Sequence, residues 1–129
     1  MALVALGAAV ILFPAAAKAN FCNVTGGTAQ EIAANVVKSK DFARIGGNAR
    51  FVGYFNKKAM VRLAVTRPGN KAHPAVACLH FTRKTGDWQA WTTIKCEASR
   101  SACNALLDEF KILEAQWQAL GKANKIPNP

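Results

Sequence analysis

The stretch AVACLHFTRKTGDWQAWTTIK, residues 75–95, decides the fold. Residues 75–82 and 88–95 are rich in β-branched and aromatic residues, and their pattern has the period of two that a strand requires. Residues 83–87, which lie between them, contain Thr85-Gly86-Asp87, a sequence typical of a turn. Two strand-like runs joined by so short a turn predict an antiparallel pair.

The residues before this pair continue the same pattern. Strand-like runs cover residues 50–55 and 59–67, with turn-like connections at residues 56–58 and 68–74. Because the connections are short, the four strands are expected to pair in chain order. The sequence therefore predicts a four-stranded antiparallel meander.

A helix is predicted on each side of the meander in the sequence. Residues 28–31, Thr-Ala-Gln-Glu, have the pattern of a capping box, and apolar residues after them recur at intervals of three and four. Beyond Ser99 or Ser101, either of which can cap a helix, an apolar stripe extends from Cys103 to Leu120. We expect an α+β domain of helix, four-stranded antiparallel meander and helix, with both helices on one face of the sheet.

The N-terminal segment has the features of a cleavable export signal. Residues 2–17 are mostly Ala, Val, Leu and Ile, and Ala17-Lys18-Ala19 has the small-x-small pattern that signal peptidase recognises. An uncleaved anchor is the alternative, since no Lys or Arg precedes the apolar run. The run is short for a bilayer span, which needs about 20 apolar residues. We therefore predict a signal peptide at residues 1–19 and a single domain at residues 20–129 that is periplasmic or secreted.

The cysteines support export. Cys22, Cys78, Cys96 and Cys103 lie in the predicted domain, and an even number of cysteines in a small exported domain predicts two disulfides. Cys96 and Cys103 flank the predicted corner between the last strand and the second helix, so we favour that pair, which leaves Cys22 for Cys78. A metal site is the alternative, but no Cys-x-x-Cys motif is present, and we predict none.

The chain is strongly basic. It has 17 Lys and Arg against 7 Asp and Glu, a formal net charge of +10, which becomes +9 without Lys18 of the signal. Such a surplus favours anionic partners. Lys57 and Lys58 occupy one predicted turn and Arg83 and Lys84 another, and in a meander these two turns lie at the same end of the sheet.

One face of the sheet is the second candidate for binding. Val61, Leu63 and Val65 are expected to face the helices together with Leu79 and Phe81. The opposite face would then carry aromatic and cationic side chains, which dominate the energetics of protein interfaces. With the turn residues, the predicted binding set is Tyr54, Lys57, Lys58, Arg62, His80, Arg83, Lys84 and Trp88.

Few residues could support catalysis. The histidines are His73 and His80, and a Cys–His pair would need a free thiol, which the even cysteine number argues against. We expect no enzymatic activity and no cofactor. The sequence favours a protein-binding module of the inhibitor, immunity or envelope-accessory type whose partner has an acidic surface. The alternatives are binding to an anionic envelope polymer or membrane surface by charge, and a small hydrolase that uses His80. Nucleic-acid binding and stable membrane anchoring are not expected.

Overall fold

The computed structural model describes residues 19–84 and 86–122. Over these ranges the chain forms an α+β fold, as predicted. Its elements in chain order are β1 (Asn20–Phe21), β2 (Val24–Thr25), α1 (Ala29–Val36), β3 (Ala43–Gly47), β4 (Phe51–Asn56), β5 (Val61–Thr66), β6 (Ala75–Lys84), β7 (Asp87–Cys96) and α2 (Arg100–Lys122). The predicted signal peptide, apart from Ala19, lies outside the described residues.

The main sheet is an antiparallel meander of five strands in the order β3-β4-β5-β6-β7. Strands β4 to β7 correspond to the four that the sequence predicts. The fifth, β3, is an edge strand that the prediction lacks. Its pairing with β4 shifts between Arg44 and Gly46, and Gly46 has a φ of +129°. Such an irregularity interrupts the period of two by which a strand is recognised in a sequence.

The two helices lie on opposite faces of this sheet, so the prediction that they share one face is wrong. Successive residues of β6 show the arrangement. Cys78 belongs to an apolar cluster with Ile32 of α1, whereas Ala77 belongs to another cluster with Leu106 and Phe110 of α2. Residues 75–79 are all buried, which is typical of a strand covered on both faces.

α1 begins as the sequence predicts. The Thr28 hydroxyl accepts a hydrogen bond from the Glu31 backbone N–H at 3.1 Å, and the Glu31 carboxylate accepts one from the Gly27 N–H at 2.9 Å. A carboxylate of Glu97, which follows β7, accepts a further bond from the Ala29 N–H. The bonds from Ala29 and Glu31 satisfy N–H groups that the first turn of a helix leaves without partners, and the bond from Gly27 ties the preceding chain to that turn.

Both predicted disulfides are present. Cys22–Cys78 joins the turn between β1 and β2 to the middle of β6, and Cys96–Cys103 joins the end of β7 to the first turns of α2. Cys22 and Asn23 are the two central residues of this hairpin turn, and both have positive φ, as a type I′ turn requires. Each disulfide thus attaches a peripheral element to the sheet.

Candidate functional site

The residues predicted to form one binding face are divided between the two faces. Paired residues of adjacent strands share a face, and the register pairs Arg62 with Leu79, not with His80. Tyr54 and His80 lie on the face that α1 covers, and Arg62 and Trp88 lie on the face that α2 covers. The prediction of a single face is therefore wrong, because it aligned the alternation of neighbouring strands one residue out of register.

The two basic turns do lie at one end of the sheet. The turn with Lys57 and Lys58 joins β4 to β5, and the turn after Arg83 joins β6 to β7. The start of β3 lies at this end as well, because Ala43 pairs with Phe55 near the end of β4. The predicted Lys84 side chain lies outside the described part of the structure. Among the described side chains, the exposed cations of these segments, which we call the basic end, are Lys38, Lys40, Arg44, Lys57, Lys58 and Arg83.

Half of the basic end was not predicted. Lys38, Lys40 and Arg44 join it only because β3 extends the sheet beyond β4. In the sequence these three cations lie within residues 38–44, shortly before the Gly46-Gly47 pair, where no strand is predicted.

Little negative charge opposes the basic end. In its segments, residues 37–44, 56–60 and 82–88, the sequence contains two acidic residues, Asp41 and Asp87. The one ion pair within the described ranges, Arg50 with Glu109 at 2.8 Å, lies at the opposite end of the sheet, where β4 begins. Four strand spacings of about 4.8 Å separate β3 from β7, so the basic end is about 19 Å wide.

An aromatic pair lies beside the basic end on the α1 face. The His80 imidazole stacks on the Trp91 indole with ring centroids 4.8 Å apart and planes inclined by 2°. The Trp91 side chain nevertheless remains 42% exposed on the edge strand β7. Because His80 pairs with Val61, the first residue of β5, this stack is close to the turn that carries Lys57 and Lys58. We call His80 and Trp91 the aromatic edge.

The environment of His80 favours its neutral form. Burial lowers the pKa of the His80 imidazole, because the surrounding side chains remove water that would solvate the charge. Its Nε2 atom lies 3.2 Å from the hydroxyl of Thr93. The neighbouring Cys78 is held in a disulfide. His80 is thus half-buried, stacked on Trp91 and hydrogen-bonded to a hydroxyl.

His73, the other histidine, has a structural environment. Its Nδ1 atom lies 3.0 Å from the Thr66 hydroxyl and 3.1 Å from the Thr66 carbonyl oxygen. Within residues 19–84 and 86–122, no three His, Cys, Asp or Glu side chains are grouped so that they could hold a metal ion. No helix in that part of the chain is long and apolar enough to cross a membrane.

Comparison of the chain with models of known protein families, with curated proteins and with solved structures returns no significant match.

Proposed function

We propose that this protein is an exported binding module that holds an acidic surface of a partner protein at its basic end. The observation that carries the proposal is the collection of six exposed cations, with only Asp41 and Asp87 among them, across about 19 Å of the sheet's end. The positive potential of such a cluster raises the rate at which the protein encounters an anionic surface.

The aromatic edge favours a protein over a simple polyanion. Trp91 is exposed and held in one orientation by His80, so it can bury apolar area against a partner with little loss of side-chain freedom. Charge alone would serve equally for an anionic polymer or membrane surface, which is the second candidate. The two disulfides support export, because such bonds persist in oxidising compartments.

The experiment compares two charge-reversal variants that have the same net charge. Lys57→Glu with Lys58→Glu alters the basic end, and Lys71→Glu with Arg100→Glu alters exposed cations at the opposite end. Each immobilised protein is exposed to envelope extract, and captured proteins are identified and quantified by mass spectrometry. We expect the first variant to lose an acidic partner that the wild type and the second variant retain.

Two further measurements separate the candidates. Binding of the purified partner should persist in part at about 1 M salt, where the Debye length is about 3 Å and surface attraction is screened. Binding to vesicles that contain phosphatidylglycerol should weaken equally in both charge variants, because it follows net charge. If capture from the extract also falls equally in both variants, binding through the basic end is refuted.

A further inference from the structure

A groove extends along α2 on the face of the sheet that this helix covers only in part. α2 packs on β6 and β7, and the strip formed by β3, β4 and β5 continues beyond it. The groove has a volume of about 560 Å³, and its walls include the apolar side chains of Ile45, Phe51, Phe110 and Leu113. Sites for small molecules typically have volumes of about 300–1,000 Å³ and apolar walls.

The floor of the groove is low because its side chains are small. Gly53 and Ala64, which pair across β4 and β5, both line the groove. The next residue in this row, Ala77, lies under α2. A larger residue at position 53 or 64 would occupy the space between the sheet and the helix, so the groove follows directly from two small residues in register.

Arg62 supplies a positive charge inside the groove. It is half-buried on the α2 face beside Leu79, and burial lowers the pKa of its guanidinium. Among residues 19–84 and 86–122, no acidic side chain forms an ion pair with Arg62. Because burial removes part of the water that solvates this charge, and no described carboxylate replaces it, this position favours a bound anion.

The carboxylate that lines the groove is already neutralised. Glu109 accepts two hydrogen bonds from Arg50, at 2.8 Å and 2.9 Å, near the start of β4. Arg62 pairs with Phe55 near the end of that strand, four residues beyond Phe51. At about 3.3 Å per residue, the stretch of β4 from Phe51 to Phe55, which lies between these polar ends and has apolar walls over it, is about 13 Å long.

We propose that this groove binds an amphipathic carboxylate, a small molecule whose anionic end bonds to Arg62 and whose apolar body lies over Gly53 and Ala64. The planar guanidinium matches the two oxygens of a carboxylate, and a single cation balances its single charge. The apolar body, about 13 Å long at most, would contact Phe51, Phe110 and Leu113. This site lies on the opposite face of the sheet from the aromatic edge.

The test uses decanoate as the probe and the exported, disulfide-bonded protein. Isothermal titration calorimetry should show saturable binding of one molecule, and amide NMR shifts should change at Gly53, Ala64 and Leu113. Decanol has the same apolar chain without the charge. Its affinity should be at least about tenfold lower than that of decanoate, because it cannot form the charge-assisted hydrogen bonds.

Two variants locate the carboxylate. Arg62→Gln should weaken decanoate binding about tenfold or more while leaving decanol binding unchanged. Ile112 lines the mouth of the groove and is 64% exposed, so Ile112→Glu should fold normally and repel the carboxylate. Ala115→Glu, an exposed position of α2 that does not line the groove, makes the same change in charge and should bind decanoate as the wild type does.

Several results would overturn the proposal. Absence of saturable decanoate binding would do so, as would equal affinities for decanoate and decanol. Equal weakening by Ile112→Glu and Ala115→Glu would show that net charge and not the groove is responsible. Binding of decyl phosphate without binding of decanoate would overturn the assignment of a carboxylate.

Discussion

Cys78 and Leu79 are consecutive residues of β6 that are both buried, with 0% and 1% exposure, on opposite faces of the sheet. Cys78 is bonded to Cys22 beneath α1, whereas Leu79 packs with Phe81 and Ala90 on the side of α2. β6 thus contributes to apolar clusters on both faces of the sheet. Each face needs its own means of holding the covering elements in place, and each has one disulfide.

The two disulfides should differ in their effect on stability. Cys22–Cys78 spans 56 residues and Cys96–Cys103 spans 7. From the entropy of the unfolded chain, we expect Cys22→Ala with Cys78→Ala to lower the free energy of unfolding by about 4 kcal/mol. Cys96→Ala with Cys103→Ala should lower it by about 2.5 kcal/mol. Urea unfolding measures both, and a larger loss for the shorter loop would contradict the expectation.

A buried hydroxyl provides a second prediction. The Thr66 hydroxyl donates to the carbonyl oxygen of Ala75 at 3.0 Å and accepts from the Ala75 N–H at 2.8 Å, and Thr66 is 4% exposed. Thr66→Val preserves the shape but leaves that N–H without its acceptor. We expect a loss of about 1–3 kcal/mol in the free energy of unfolding.

Thr92→Val is the matched control for Thr66→Val. The Thr92 hydroxyl is also buried, but it has no hydrogen-bond partner within the described part of the chain. Removing an unsatisfied hydroxyl should leave stability unchanged or raise it. Equal losses for the two variants in urea unfolding would show that hydrogen bonding at Thr66 is not the cause.

The predictable part of this fold comes from local signals. The capping residues Thr28 and Glu31 mark the start of α1, and the turn residues between the runs mark β4 to β7. The disulfides followed from the corner between Cys96 and Cys103. Each of these signals depends on residues close together in the sequence.

What could not be predicted depends on register. A shift of one residue in the pairing of β5 with β6 decides whether Arg62 lies beside Leu79 or His80. The same shift moves every side chain of the strand to the other face. The unbroken apolar run at residues 75–79 is the pattern of a strand covered on both faces, but without alternation it does not show which of its residues share a face with Arg62. For the same reason, the groove beside Arg62 and the separation of Tyr54 from Trp88 could not be derived from the sequence.

Stability should depend on pH through His80. Burial lowers its pKa in the folded protein. Above about pH 6.5 the imidazole is therefore neutral in both the folded and the unfolded protein and does not make stability depend on pH. As the pH falls below about 6.5, the unfolded chain binds the proton more readily, and the wild type loses stability until the pH passes the folded pKa. The free energy of unfolding of His80→Gln minus that of the wild type should therefore increase as the pH is lowered from 8 to 5.

Chemical denaturation at several pH values measures this difference. A constant difference would show that the imidazole is as well solvated in the folded protein as in the unfolded chain. A falling difference would show that stacking on Trp91 stabilises the imidazolium more than burial destabilises it.

Trp88 and Trp91 should have different roles, although they are three residues apart on β7. Trp88 packs against the cluster of Leu79 and Phe81, whereas Trp91 is exposed and stacks on His80. We expect Trp88→Ala to lower the free energy of unfolding by about 2–3 kcal/mol because apolar area is lost from the cluster. Trp91→Ala should cost about 0.5–1.5 kcal/mol, the value of an aromatic contact.

Binding should show the reverse order. If the aromatic edge contacts the partner that the basic end captures, Trp91→Ala should weaken affinity by about 2 kcal/mol, the loss typical of a hot-spot residue, while Trp88→Ala leaves the affinity of the folded fraction unchanged. Calorimetry with the purified partner, at a temperature where both variants are folded, measures the two affinities. An unchanged affinity of Trp91→Ala would remove the aromatic edge from the interface, and the partner would then be held by charge alone.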